Sequence, residues 1–128
     1  MSAVYTHKSG TIHLDENDII CFNSTAGEIY DDQDLILMLD IMEKASSDSP
    51  FLLLMNSNGF EFLMTKEARN LFNTYDKAIQ LIKAEAVVIN STSTKILYNL
   101  LTKIHKPKFP FKAFTEEQKA REWLSTFR

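Results

Sequence analysis

The chain has 128 residues, of which 45% are hydrophobic and 24% are charged. This balance is ordinary for a folded protein and excludes disorder as the main description, and the length suits one domain over residues 1–128. Lys and Arg number 14 against 17 Asp and Glu, so the net charge is −3 and any long-range attraction to nucleic acid is weak.

The cysteine content and the hydropathy of the chain indicate the cellular compartment in which the protein is found. Cys21 is the only cysteine, which excludes an internal disulfide and is typical of a reducing environment. Residues 1–10 lack the apolar core of a secretory signal, and no apolar run approaches the roughly 18 residues that span a bilayer. The sequence therefore predicts a cytoplasmic protein that is not transmembrane.

The first predicted elements are a hairpin and a helix. Residues 1–9 are expected to be frayed or an edge segment, and 11–14 and 19–22 are strand candidates on either side of the polar turn 15–18. An acidic first turn, at Asp31, Asp32 and Asp34, then complements the positive end of a helix dipole. The apolar stripe of this helix comprises Leu35, Met38, Leu39, Met42 and Ala45.

The central prediction concerns residues 51–55, an uninterrupted apolar run that suits a strand buried on both faces. The turn-forming residues 56–59 follow it, and Thr65 then caps a helix with a possible interruption at 73–74. Residues 84–89 are a second short apolar run rich in β-branched side chains. We expect the two runs to lie side by side, parallel, inside one sheet.

The C-terminal part predicts two more helices and a strand. The polar run 91–94 caps a helix, and Pro107 forbids its continuation. A strand over 111–114 and a capping box over 115–118 precede the last helix. The predicted buried side of the first helix comprises Leu97, Leu100, Leu101 and Ile104, and the apolar stripe of the last helix comprises Ala120, Trp123, Leu124 and Phe127.

The predicted order is therefore β-β-α-β-α-β-α-β-α. Strands that alternate with helices favour parallel pairing through right-handed crossovers. The fold class is α/β, with a mixed, mostly parallel sheet of about five strands and four helices over at least one of its faces.

This order resembles the STAS domain, the fold of bacterial anti-sigma-factor antagonists. Residues 106–117 (KPKFPFKAFTEE), with Ala120 and Trp123-Leu124, are similar to the ending of a STAS-like family of small bacterial proteins. Residues 66–69 are similar to that family's second helix. The resemblance spans residues 11–127 and implies a non-enzymatic module that binds and switches other proteins.

In the antagonists, a serine in an Asp-Ser-Ser-Gly-type motif is phosphorylated by a partner kinase. The nearest match is 56–59, with Ser57 as the candidate, although Asn56 replaces the aspartate and Phe60 to Met64 separate the motif from the helix. The other interpretation is a solvated turn, with Thr65 only a cap. The candidate interaction or switch loop comprises Asn56, Ser57, Asn58, Gly59, Phe60, Phe62 and Thr65.

The histidines, the cysteine and the lysines give little indication of catalysis or of metal binding. His7, His13 and His105 lack metal-ligand spacing, and Cys21 lacks a nearby base, so we expect no catalytic residue, metal or cofactor. The weak candidates for anion binding are Lys106, Lys108 and Lys112, which alternate with Phe109 and Phe111 in a basic strip suited to phosphates or an anionic membrane.

Two functional hypotheses follow. The first is a regulatory module that acts by contact with another protein, with a homodimer as one possibility. The alternative is a carrier of a lipid or other apolar small molecule, because residues 60–64 add apolar surface beside the central loop.

Overall fold

The computed structural model describes residues 3–60, 62–104 and 106–128. This part of the chain forms eight strands and five helices. They are β1 (Val4–His7), β2 (Gly10–Leu14), β3 (Ile19–Ser24), β4 (Glu28–Tyr30), α1 (Asp32–Ala45), β5 (Phe51–Asn56), β6 (Phe62–Met64), α2 (Lys66–Thr74), α3 (Asp76–Leu81), β7 (Ile82–Val88), α4 (Thr92–Ile104), β8 (Phe111–Phe114) and α5 (Glu117–Ser125).

The main sheet has six strands in the order β1-β2-β3-β5-β7-β8. β1 to β3 are antiparallel neighbours, whereas β3, β5, β7 and β8 run parallel. Leu54 of β5 lies opposite Ala86 of β7, so the two apolar runs pair inside the sheet as predicted. The mixed, mostly parallel α/β fold is therefore confirmed. The sheet gains a sixth strand because residues 4–7 pair with β2 as an edge strand.

A second, two-stranded parallel sheet joins β4 to β6, with Ile29 opposite Leu63. These strands are not evident in the sequence, because three residues are too few to show a period of two. The predicted interruption of the second helix is confirmed: α2 ends at Thr74, Tyr75 is extended, and α3 begins at Asp76. This interruption accounts for the fifth helix.

Both faces of the sheet are covered. On one face, α1, α2 and α3 pack on a core that contains Ile20, Phe22 and Leu53. On the other face, α5 places Ala120 and Leu124 against β5 and β7, where small side chains such as those of Ala84 and Ala86 allow a close approach. This burial on both sides is why β5 is apolar at successive positions.

Helix starts follow the predicted chemistry in three cases of four, including α4, where the Ser91 Oγ accepts from the Thr94 N–H (3.3 Å). Asp31 caps α1 in a reciprocal capping box with Asp34, and the Thr65 Oγ1 accepts from the amide of Ala68 at the start of α2. The capping box predicted at residues 115–118 is wrong, because α5 has Glu116 as its N-cap and no side chain hydrogen-bonds there.

The prediction of a buried apolar stripe on α4 is also wrong. The four predicted residues are exposed: Leu97 by 51%, Leu100 by 52%, Leu101 by 37% and Ile104 by 64%. The helix lies along the outer edge of β8, and a polar residue faces that strand. The Asn99 amide donates to the Ala113 carbonyl (3.2 Å) and accepts from the Ala113 N–H (2.8 Å), which satisfies backbone groups of the edge strand.

One carboxyl group is buried within the sheet. Glu85 in β7 lies between Leu53 and Phe111, is 2% exposed, and its Oε1 has no hydrogen-bond partner among the described residues. Burial raises the pKa of Glu85 to about 8, so the side chain is mainly protonated at neutral pH.

Glu85→Gln is expected to remove a pH dependence of stability. The pKa of Glu85 in the folded state is about 8 and exceeds the unfolded value, so its protonation favours folding below pH 4.5, and this contribution is lost as the pH rises towards 8. Wild type should lose about 3 kcal/mol in unfolding free energy between pH 5 and pH 8 from this group, and the variant should not. Urea titrations at both pH values measure the difference.

Glu16→Gln, at an exposed turn position, is the matched control and should keep the wild-type slope. Equal slopes for Glu85→Gln and wild type would show that Glu85 does not titrate in this range.

Candidate functional site

The candidate site is a cleft at the carboxyl ends of three neighbouring parallel strands, β5, β7 and β8. This is the edge at which open α/β sheets place their binding surfaces. The cleft has a volume of about 340 Å³. Its lining residues are Asn56, Ser57, Asn58, Gly59, Val88, Ile89, Asn90 and Thr115.

Two asparagines hold the loop that forms one wall of the cleft. The Asn56 Oδ1 accepts from the Asn58 amide (3.0 Å), and the Asn56 Nδ2 donates to Glu117 at the start of α5 (2.8 Å). The Asn58 Nδ2 donates to the Ser24 carbonyl at the end of β3 (3.0 Å). Asn58 and Gly59 have φ values of 50° and 84°, a backbone region that these residue types tolerate best. The loop is therefore tied to both β3 and α5.

Ser57 is part of this closed loop and is only 2% exposed. Its N–H donates to the Val88 carbonyl (3.0 Å), and its carbonyl accepts from the Phe60 N–H (2.9 Å). α2 begins only after β6, so Ser57 does not lie at the N-terminus of that helix. In this conformation Ser57 is therefore not accessible to a kinase.

The remaining residues of the predicted switch loop lie beyond the cleft. Phe60 is 40% exposed, and Thr65 serves as the α2 cap while its N–H donates to the Tyr30 carbonyl (3.0 Å). The side chain of Phe62 lies outside the described part of the chain. The predicted loop is thus divided between a polar cleft and the apolar strand β6.

The apolar residues around β6 do not form the roomy pocket that a carrier requires. The described residues there enclose a cavity of only about 10 Å³, enough for about one water molecule. Its walls are Phe22, Tyr30, Leu35, Met38, Met55, Leu63 and Met64. The core side chains fill the space beneath the small sheet, which argues against the alternative of a lipid carrier.

Cys21 behaves as the predicted buried small side chain. Burial, together with the charge of Asp15, raises the pKa of the Cys21 thiol to about 12. Its Sγ lies 3.5 Å from the Asp15 Oδ2, which also accepts from Arg121 of α5 (2.6 Å). Burial raises the pKa of Asp15, but hydrogen bonds from Arg121 and from backbone amides outweigh it and hold the pKa below its usual value. This cluster joins α5 to the β2–β3 turn and holds its thiol protonated.

The other candidate ligands remain apart. No group of three or more His, Cys, Asp and Glu side chains suited to a metal occurs in residues 3–60, 62–104 and 106–128. The His7 Nε2 lies 4.0 Å from the Asp34 carboxylate, and His105 is outside the described residues.

The basic strip is only partly as predicted. Lys106, Lys108 and Lys112 are exposed, and the Lys112 Nζ lies 5.5 Å from the centre of the Phe114 ring. Phe109, however, is buried against Phe72, with 5.7 Å between ring centroids. The lysines are available to an anion, whereas Phe109 is not available to stack on a base.

The fold is STAS-like. It is similar to the crystal structure of an uncharacterized protein of the DUF3478 family with a SpoIIAA-like fold from Shewanella loihica PV-4. The TM-score is 0.62 at 16% sequence identity, over 97% of this chain and 95% of that one. The chain belongs to the family described as a domain of unknown function, DUF7793, whose sequence profile matches residues 12–128. No curated protein matches the sequence.

As for membranes, none of the helices within the described residues is both long and apolar enough to cross a bilayer.

Asn58→Gly is expected to loosen the cleft loop. Glycine accepts the positive φ at this position, so the change removes mainly the hydrogen bond to Ser24. We expect the unfolding free energy to fall by about 1 kcal/mol and the amides of residues 57–60 to exchange faster with deuterium.

Asp48→Gly is the control, because Asp48 also has a positive φ (62°) but its side chain forms no hydrogen bond within the described chain. If both variants show the same stability and the same exchange, the bond to Ser24 does not hold the loop.

Proposed function

We propose that this protein is a non-enzymatic regulatory module that acts by contact with another protein. The contact surface includes the outer side of the small β4–β6 sheet and the adjoining end of the cleft loop. We call this the ribbon surface and define it by Ile29, Phe60 and Leu63. The observation that carries the proposal is the exposure of these three large apolar side chains, by 58%, 40% and 44% respectively.

The pairing of the two short strands supports a shared surface. Ile29 and Leu63 are direct partners in the parallel register, so their side chains lie on the same side of the small sheet. Neighbouring exposed apolar side chains are typical of protein interfaces, and aromatic residues such as Phe60 often contribute most to binding.

The rigid loop beside this surface also favours binding. The hydrogen bonds of Asn56 and Asn58 fix the loop before any partner arrives, so less conformational entropy is lost on association. The cleft adds polar groups at the rim, which suits the usual arrangement of an apolar centre with a polar margin.

The assignment as a non-enzymatic protein is inferred from the side chains of the cleft and from the fold. The cleft residues are amides, hydroxyls and aliphatic groups, without a charged side chain among them. Such a set lacks the paired acid and base, or the activated nucleophile, that common enzyme mechanisms need. The resemblance to the STAS group points in the same direction.

The ribbon surface is tested with a photo-reactive amino acid in place of Phe60, and at Lys44 of α1 as a control position. We expect a discrete cross-linked product from position 60 in cells and none of the same mass from position 44. The Ile29→Asp/Leu63→Asp variant should reduce that product at least tenfold, since two charges would be buried in the interface. Mass spectrometry identifies the partner, and a product of twice the chain mass identifies a homodimer.

Val4→Asp is the matched control, because Val4 is 63% exposed but lies on the edge strand β1. It should leave the cross-link unchanged. The proposal is wrong if position 60 gives no specific product, or if Val4→Asp and the double variant weaken the product equally.

A further inference from the structure

The helix α4 (Thr92–Ile104) is built with its apolar stripe facing away from the protein, since none of its residues is buried. The stripe consists of five aliphatic side chains that are 37–64% exposed: Ile96, Leu97, Leu100, Leu101 and Ile104. At about 100° per residue these positions cover an arc of about 140° and a length of about 12 Å. Asn99, which is bound to β8, lies on the opposite side of the helix.

The charge around this stripe has one sign. Residues 86–115 contain five lysines and no aspartate or glutamate, in a chain whose net charge is −3. Lys103, Lys106 and Lys108 are exposed around the C-terminal end of α4. The next acidic residues along the chain are at the start of α5, where Glu116 pairs with Lys119 and Glu117 pairs with Arg121. The segment that carries the stripe therefore contributes positive charge and no negative charge to this side of the molecule.

We propose that α4 and the lysines at its C-terminal end form a docking surface for an anionic lipid bilayer, with the helix lying in the plane of the membrane interface. An apolar stripe that sinks among acyl chains, with lysines that reach anionic headgroups, is the arrangement of an interfacial helix. Each lysine near an anionic membrane strengthens binding about fivefold, so the three lysines at the C-terminal end of α4 favour an anionic over a neutral surface.

Charge and shape favour the bilayer over protein occupants. A symmetric contact between two copies through α4 would bring the same lysine-rich segments together, and residues 86–115 contain no acid to offset them. The stripe is also a convex ridge on the outside of β8. A folded partner must supply a matching groove with acidic walls, whereas a bilayer deforms around a ridge.

The experiment measures co-sedimentation of the purified full chain with vesicles at 0.15 M salt. One set is phosphatidylcholine alone and the other contains about 30% phosphatidylserine. We expect binding at least tenfold tighter to the anionic vesicles, and a marked loss at 0.5 M salt because the charge is screened. Leu100→Asn/Ile104→Asn should abolish sedimentation, and Lys103→Gln/Lys106→Gln should weaken it about 25-fold.

Leu37→Asn and Lys44→Gln are the matched controls, since both side chains are exposed on α1. They should bind the vesicles as wild type does, and circular dichroism should show all variants folded.

The proposal is overturned if anionic and neutral vesicles bind alike, or if the controls weaken binding as much as the α4 variants. It is also overturned if vesicles do not bind while an acidic amphipathic peptide does, or if light scattering shows a dimer that Leu100→Asn/Ile104→Asn dissociates. The variants spare the ribbon surface, so this test and that of the proposed function fail independently.

Discussion

The burial of β5 on both faces is the constraint on which the rest of this structure depends. Its residues 51–55 are 0–3% exposed, with β3 and β7 on either side and helices above and below. A strand in that position must be apolar throughout, and its neighbours must be parallel because helical crossovers join them. The position of β5 then determines where the chain emerges, and it places Asn56 and Ser57 at the cleft. The packing of β5 therefore also determines where the candidate site lies.

The two surfaces proposed for binding differ in what holds them. The cleft loop is stabilised by side-chain hydrogen bonds to β3 and α5, and the ribbon surface beside it rests on core residues that leave almost no cavity. α4, in contrast, is held to the sheet edge by the hydrogen bonds of Asn99 and by Tyr98, which packs against the core, and its aliphatic stripe is left to solvent. The five aliphatic residues of this stripe gain little from the protein's own core, so they are available to an external surface.

Much of the fold could be predicted because it depends on residue patterns within single segments of the chain. The apolar runs at 51–55 and at 84–89, the second of which contains Glu85, predicted buried parallel strands, and the acidic turn at Asp31 and Asp34 predicted the start of α1. The strands β4 and β6 could not be predicted, since three-residue strands show no periodicity and pair only when a partner is nearby. At the site, residues 56–59 were recognisable as a turn. The burial of Ser57 was not, because it arises from contacts with β7.

The amino-acid sequence alone determined the α/β class, the central pair of strands and the existence of an apolar stripe on α4, because each depends on spacing along one segment. Only the tertiary structure decided which way that stripe faces. Periodicity shows that Leu97, Leu100 and Ile104 share a side of the helix, but not whether a sheet face covers it. Since β8 is the last strand, α4 lies at an open edge, and the backbone of that edge binds Asn99 and leaves the leucines outside.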